Sequence, residues 1–120
     1  MILRVLIEKT VGKSCASIDD GEKVLELISP EIAKNLTVEL DFKGVKSMLT
    51  PFLNACFGKL LERFGKERTM TNVSIRNIPD DFLRRINEFI DRKDKEYTQA
   101  SEREMLEELF DEDGLTDSYS

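Results

Sequence analysis

The sequence predicts an α/β fold, with helices packed on a mixed, mostly parallel sheet of four to five strands. Segments with apolar residues at every second position alternate with segments that have apolar residues at helical spacing. Strands that alternate with helices along a chain are typical of a parallel sheet. The 120 residues are enough for one domain with one modest core.

The strand pattern is plainest at residues 36–42, where apolar side chains alternate with threonine, glutamate and aspartate. Residues 2–9 alternate in the same way. Residues 14–18 are expected to return beside that first strand as a short antiparallel partner. A further strand is predicted around Val73 and Ile75, which polar residues flank.

Capping residues, proline and glycine set the ends of the first two predicted helices. Asp19 or Asp20 can cap the first helix, and Pro30 is expected to end it. Thr50 can cap the second helix, whose wide apolar stripe indicates a core position. Gly65 is expected to close this second helix.

The last part of the chain is predicted to hold two more helices. Residues 66–70 form a connecting loop, and Pro79 starts a third helix after the last strand. Ser101 and Glu104 have the spacing of a capping box, which predicts a separate fourth helix. Residues 111–120 are expected to be disordered.

The negative charge lies at the carboxyl end. Residues 1–93 carry 16 basic and 14 acidic side chains, whereas residues 94–120 carry 2 basic and 10 acidic ones. We therefore divide the chain into a domain at 1–93 and an acidic helix with a flexible tail at 94–120. The apolar face of that helix is expected to dock on the domain, on a second copy or on a basic partner, which leaves the oligomeric state open.

The residue types argue against an enzyme. The chain has two cysteines and no histidine, which excludes a Cys/His zinc site and a Ser-His-Asp triad. Both cysteines, Cys15 and Cys56, are expected to be buried as small apolar residues. No glycine-rich phosphate loop is present, so we expect no cofactor. Without a signal peptide or an apolar run of membrane length, we expect a cytoplasmic protein.

One stretch resembles a known family. The segment Val38–Val45, followed by Leu49–Asn54, is similar to STAS-like domains, relatives of the bacterial anti-sigma-factor antagonists. Phe57 and Gly58 match a Phe-Gly pair that STAS-like members carry further along the helix. The resemblance covers residues 1–92 and implies a non-enzymatic regulatory module that binds a protein, such as a kinase-like ATPase or an anti-sigma-type factor.

The resemblance also implies where the partner binds. In the family, a serine at this helix start is phosphorylated by a partner kinase, which dissociates the complex. Here Leu49-Thr50-Pro51-Phe52 stands where the family has Asp-Ser-Ser-Gly, so a single hydroxyl remains. We expect the partner to contact residues 44–50 and the following helix. The candidate binding or phosphoacceptor residues are Ser47, Thr50, Asn54, Lys59 and Arg63.

A different interpretation assigns residues 72–110 to a ribbon-helix-helix DNA-binding unit. In such a unit one strand pairs across a dimer, and Asn72, Ser74 and Arg76 would contact bases. The helix that follows 101 is strongly acidic and the isoelectric point is 4.8, which argues against a nucleic-acid partner. This interpretation also leaves the first half of the chain unexplained.

Overall fold

The computed structural model describes the backbone of residues 2–112 and the side chains of residues 2–98. It confirms the α/β class. The strands are β1 Leu3–Leu6, β2 Ser14–Cys15, β3 Val38–Asp41, β4 Ser47–Met48 and β5 Val73–Arg76. The helices are α1 Ile7–Val11, α2 Ile18–Ala33, α3 Thr50–Leu53, a π-helical segment Asn54–Gly58, α4 Lys59–Asn72 and α5 Asp80–Glu112.

The main sheet has three parallel strands in the order β1-β3-β5. Leu3, Val38 and Val73 lie in one row of the register, and the row of Val5, Leu40 and Ile75 is on the same face. The connections from β1 to β3 and from β3 to β5 both move to the next strand in the same direction along the sheet. Connections between parallel strands are almost always right-handed, so the helices of both connections lie on the same face of the sheet.

The opposite face of the sheet is open to solvent. Its side chains include Arg4 on β1 and Arg76 on β5, which are 55% and 63% exposed. Two ion pairs tie the strands together there, Arg4 to Asp41 at 2.7 Å and Arg76 to Glu39 at 3.2 Å. The helices therefore build the core on one side only.

The predicted opening hairpin is wrong. β1 ends at Leu6, and the next residues form α1, in which Ile7 is completely buried. Gly12, at φ +97°, redirects the chain after α1. β2 then lies away from β1 and pairs in parallel with β4. Burial of Ile7 in a helical turn has overridden the alternation that predicted a longer strand.

Both predicted helix caps are displaced. Ser17 caps α2, because its Oγ accepts a hydrogen bond from the Asp20 N–H at 3.1 Å. Asp19 and Asp20 lie instead in the first turn, where the helix dipole favours acidic groups. Thr50 is the first helical residue of α3, and Leu49 occupies the cap position without a side-chain hydrogen bond.

Two predicted boundaries lie inside helices. Pro30 does not end α2, which continues for three residues and buries Ile32 completely. Gly65, at φ 82°, does interrupt α4, as predicted. The expected loop at 66–70 is wrong, because the helix resumes after Gly65. There Arg68 donates to the carbonyl oxygen of Ile32 at 2.6 Å and holds the turn against α2.

The third and fourth predicted helices are one continuous helix, α5. No helix end marks residue 93, so the domain boundary there stays a prediction. The capping box at Ser101 and Glu104 is wrong, since both residues lie within α5, although their side chains are outside the described residues. Asp111 and Glu112 are helical, and residues 113–120 lie outside the part that the structure describes.

The core lies between the sheet and the helices. Its largest fully buried side chains include Phe42, Phe52 and Phe57. The predicted stripe of α5 is confirmed, with Ile86 completely buried. Cys15 is also fully buried, as predicted, and so is Cys56. Within residues 2–112, no helix combines the length and the apolar character needed to cross a membrane.

Candidate functional site

The predicted binding segment, residues 44–50, is ordered by a ladder of backbone hydrogen bonds between β4 and β2. β4 pairs in parallel with β2, so that Ser14 lies opposite Ser47 and their hydroxyl oxygens are 2.8 Å apart. The Lys46 N–H donates to the Lys13 carbonyl oxygen at 2.7 Å, and the Leu49 N–H donates to that of Cys15 at 2.9 Å. Residues 44–50 are therefore held in a defined conformation before α3 begins.

One hydrogen bond from α5 and one close approach from α1 involve the same segment. Arg85 on α5 donates to the carbonyl oxygen of Met48 at 2.6 Å. Gly44, at φ +87°, lies so close to the Glu8 carboxylate that a Cβ atom at this position would overlap it. The segment is thus held by hydrogen bonds from β2 and from α5, and Gly44 leaves room for the Glu8 side chain of α1.

Two helices begin side by side at the end of this ladder. α2 starts after β2 and α3 starts after β4, and the two strands run parallel. Apolar side chains are in solvent at both starts: Ile18, the first residue of α2, is 58% exposed, and Leu49, the cap residue of α3, is 49% exposed. Thr50 and Pro51, which follow Leu49, are exposed too. We call Ile18, Leu49, Thr50 and Pro51 the helix-start surface.

Gly21 allows the two helices to lie this close. A Cβ atom at Gly21 would be 2.6 Å from the Ala55 Cβ and 2.7 Å from the Phe52 carbonyl oxygen. Any larger residue would therefore push α2 away from α3 and the π-helical segment. Glycine weakens an isolated helix, so the reason for Gly21 near the start of α2 is visible only in this packing.

The remaining candidates line a groove beside the helix-start surface. Asn54, Lys59 and Arg63 are exposed along one wall, and Ile18 and Glu22 of α2 lie on the other. Arg63 also donates to the Ser29 hydroxyl at 3.1 Å, and Lys59 pairs with Glu62 at 3.8 Å. The groove has a volume of about 240 Å³.

Four of the five predicted residues thus share one side of the molecule. Thr50 is one helical turn before Asn54, and Lys59 and Arg63 follow along the same helical stretch. Ser47 differs, because it is half-buried in β4 and its hydroxyl already has a partner in Ser14. Sequence analysis missed Ile18 and Leu49, which look like core residues until the fold exposes them.

Asp41 is the last residue of β3, and three residues donate hydrogen bonds to its carboxylate. Its carboxylate accepts hydrogen bonds from the Lys43 N–H at 2.9 Å, from the Asn77 amide at 3.0 Å and from Arg4 at 2.7 Å. The bonds from Lys43 and Asn77 lower the pKa of Asp41 most, against the effect of burial, and Arg4 lowers it further. The residue is 4% exposed and links β3 to Arg4 of β1 and to Asn77, which follows β5.

The thiols of Cys15 and Cys56 are unreactive. Burial raises the pKa of Cys15 to about 12, with a smaller contribution from the charge of Asp20. Burial raises the pKa of Cys56 as well. Since the thiolate is the reactive form of cysteine, both side chains are held as apolar core groups.

Comparison with known families identifies the domain. Residues 20–83, just over half of the chain, match the family described as STAS-like domain of unknown function (DUF4325). The chain belongs to the STAS-like family. The match begins in the first turn of α2 and ends in the first turns of α5, so it includes Gly21 and most of the helix-start surface of this STAS-like domain. No curated protein and no solved structure matches the chain.

The ribbon-helix-helix interpretation does not fit the STAS-like domain. β5 pairs with β3 of the same chain, and up to residue 112 a single helix, α5, follows it where the alternative needs two. Asn72 is 4% exposed and donates to the Leu36 carbonyl oxygen at 3.0 Å, so it cannot contact a base. Arg76 is paired with Glu39.

Proposed function

We propose that this STAS-like domain is a non-enzymatic regulatory module that binds another protein. The contact would be made by residues 44–50 and the start of the following helix. The observation that carries this proposal is the pair of large apolar side chains, Ile18 and Leu49, in solvent at adjoining helix starts.

Single exposed apolar residues are normal on a protein surface, but grouped ones favour an interface. Here they lie beside an exposed hydroxyl, that of Thr50, and next to the groove with Lys59 and Arg63. Interfaces commonly combine an apolar centre with a polar rim. The ladder between β2 and β4 holds the backbone in place, so that little conformational entropy would be lost on binding.

The groups best suited to chemistry are already engaged in the fold. Asp41 has three hydrogen-bond partners and a lowered pKa, whereas a general base needs an available carboxylate. Both thiols are buried and protonated. These features support a binding role for the domain.

The partner class follows from the family resemblance. We propose a cytoplasmic kinase-like ATPase or an anti-sigma-type factor. Thr50 is the exposed hydroxyl at the start of α3, and a phosphate there would add a dianion to the helix-start surface. Phosphorylation of Thr50 would then weaken the complex by changing the charge of the contact without unfolding the helix.

Thr50→Glu tests the proposal. The full chain is immobilised as wild type, as Thr50→Glu and as Thr98→Glu, a matched control whose threonine is exposed on α5. Proteins captured from a cytoplasmic extract of the source cells are compared by quantitative mass spectrometry. We expect a protein that the wild type and Thr98→Glu retain and Thr50→Glu loses, with unchanged circular dichroism. Equal capture by all three chains would remove this helix start from the interface.

A further inference from the structure

The main sheet has two edge strands, β1 and β5, and within the described part of the chain each of them pairs with β3 alone. An edge strand presents backbone N–H and C=O groups with which a further strand can pair. Proteins commonly protect such an edge with a charged side chain, a proline, a bulge or a covering segment. The two edges of this sheet differ in that protection, and the difference singles out β5.

At the β5 edge, the backbone of Ile75 points away from the sheet. The carbonyl oxygen of Arg76 accepts a hydrogen bond from the Phe42 N–H at 2.9 Å, so the backbone polar groups of Arg76 point towards β3. These groups alternate in direction along a strand, so those of Val73 and Ile75 point away from β3. The Val73 N–H already donates to the Thr69 carbonyl oxygen. Among the described residues, neither the N–H nor the C=O of Ile75 has a partner.

The apolar layer beneath this edge is only partly covered. The side chains of Val73 and Ile75 are half-buried and line a groove of about 210 Å³ between β5, α4 and α5. Leu83 and Ile86 line the same groove, and Met70 beside them is 48% exposed. The face of β5 towards the groove carries no charge, and the strand contains no proline. An edge of this kind favours the addition of a strand.

The β5 edge is complementary to itself. When a strand pairs antiparallel with its own copy, the residue at the two-fold axis lies opposite itself and exchanges both its backbone hydrogen bonds with its counterpart. Ile75 has both groups available for that exchange, and its side chain would meet a second isoleucine. On the open face of the sheet, Arg76 would lie opposite Ser74 of the second copy. No two like charges would oppose each other in this register.

The β1 edge lacks this property. Phe42 points its backbone groups towards β5, so Glu39, three residues earlier, points its own towards β1. Arg4 lies opposite Glu39 in the parallel register, and its N–H and C=O therefore point to the free edge. Pairing about Arg4 would place two arginines opposite each other, which is unfavourable. The carbonyl oxygen of Leu6, the next outward residue, already accepts a hydrogen bond from the Thr10 hydroxyl.

We propose that two copies of this domain associate through the free edges of their β5 strands, paired antiparallel about a two-fold axis at Ile75. The two three-stranded sheets would join into one sheet of six strands. The pairing uses the edge that faces away from β3, so each chain keeps its own sheet. This edge shares no residue with the helix-start surface, so the proposal stands apart from the proposed protein-binding function.

Sedimentation equilibrium of the full chain over a concentration series measures the association, and we expect a monomer–dimer equilibrium. Ile75→Cys then locates the contact. Opposite residues that exchange both hydrogen bonds have Cα atoms about 5.5 Å apart, a distance that a disulfide spans. With oxidised glutathione as the oxidant, Ile75→Cys should form a covalent dimer. Leu6→Cys, at an exposed position on β1, is the matched control and should not, and the wild type has only buried cysteines.

Charge at Ser74 tests the register of the pairing. Ser74→Lys should weaken the dimer about five-fold, because the lysine would lie opposite Arg76 of the second copy. Ser74→Glu places the opposite charge there and should not weaken the dimer. Thermal unfolding followed by circular dichroism shows that each variant is folded at the temperature of the measurement.

Three results would overturn the proposal. The first is a wild type that stays monomeric at every concentration, which would leave the edge to a strand of another protein. The second is a covalent dimer that forms no faster with Ile75→Cys than with Leu6→Cys, because the contact would then lie elsewhere. The third is a Ser74→Lys variant that dimerises as tightly as Ser74→Glu.

Discussion

Two strand ends in this domain differ in how far the fold buries their side chains and uses them in hydrogen bonds. At the end of β3, the Asp41 carboxylate is 4% exposed and accepts hydrogen bonds from three residues. After β4, Leu49 and Thr50 are exposed, although the backbone beneath them is fixed by the ladder with β2. One strand end stabilises the fold, and the other leaves side chains available to a partner.

The comparison shows why position alone does not identify a binding site. Ligands of parallel sheets commonly bind beyond the carboxyl ends of strands, and both regions lie at such ends. Only the region after β4 combines a rigid backbone with side chains that the fold does not use. The predictions below test this division, from the largest expected effect on stability to the smallest.

Asp41→Ala should lower the free energy of unfolding by about 3 kcal/mol, since it removes several hydrogen bonds to one buried charge. Urea denaturation measures the change. Glu26→Ala, on the exposed side of α2, is the control and should stay within about 0.5 kcal/mol of the wild type. A loss below about 1 kcal/mol for Asp41→Ala would mean that the carboxylate is not a structural group.

Gly21→Ala should lower the free energy of unfolding by about 2 kcal/mol, because the added Cβ would overlap Ala55 and the Phe52 backbone. Gly58→Ala is the matched control. Its Cβ would meet nothing nearer than Phe89 at 3.7 Å, which is ordinary contact. The control should be neutral or stabilising by up to about 1 kcal/mol, since alanine favours helices. Equal effects of the two variants would contradict the close packing of α2 against α3 and the π-helical segment.

The lowered pKa of Asp41 predicts a dependence of stability on pH. Its folded-state pKa lies below the value of about 3.9 that an aspartate has in an unfolded chain. The stabilisation is therefore complete above that value and is lost as the pH falls through the folded-state pKa. Between pH 5 and 2 (approximate limits for this window), the unfolding free energy of Asp41→Asn should fall less steeply than that of the wild type. Identical slopes would show that another carboxylate controls acid unfolding.

Much of the fold follows from sequence pattern. The period-2 alternation identified β3, and the apolar stripes identified α5 and the helical stretch after Pro51, because burial imposes these repeats directly. The proline and glycine signals were less reliable. Pro30 lies inside a helix because Ile32 beyond it is buried, and residues 66–70 are helical because Arg68 holds them against α2.

The candidate site was only partly predictable for a related reason. The family resemblance pointed to Thr50, and helical spacing placed Asn54 beside it. Ile18 and Leu49 carry no sequence signal of exposure, since apolar residues at helix starts usually face a core. The parallel pairing of β2 with β4, which joins segments 33 residues apart in the chain, brings the two helix starts to the same end of the ladder.

The most direct test of the binding surface uses two exposed leucines. Leu49 is 49% exposed on the helix-start surface. Leu36, which precedes the start of β3, is 42% exposed. Neither Leu49→Asp nor Leu36→Asp should change the unfolding free energy by more than about 0.5 kcal/mol. With the full chain immobilised in a cytoplasmic extract, we predict that Leu49→Asp reduces capture of the partner at least ten-fold, a loss of hot-spot size (about 1.4 kcal/mol or more), and that Leu36→Asp leaves it unchanged. Equal capture by both variants would contradict the assignment of this surface.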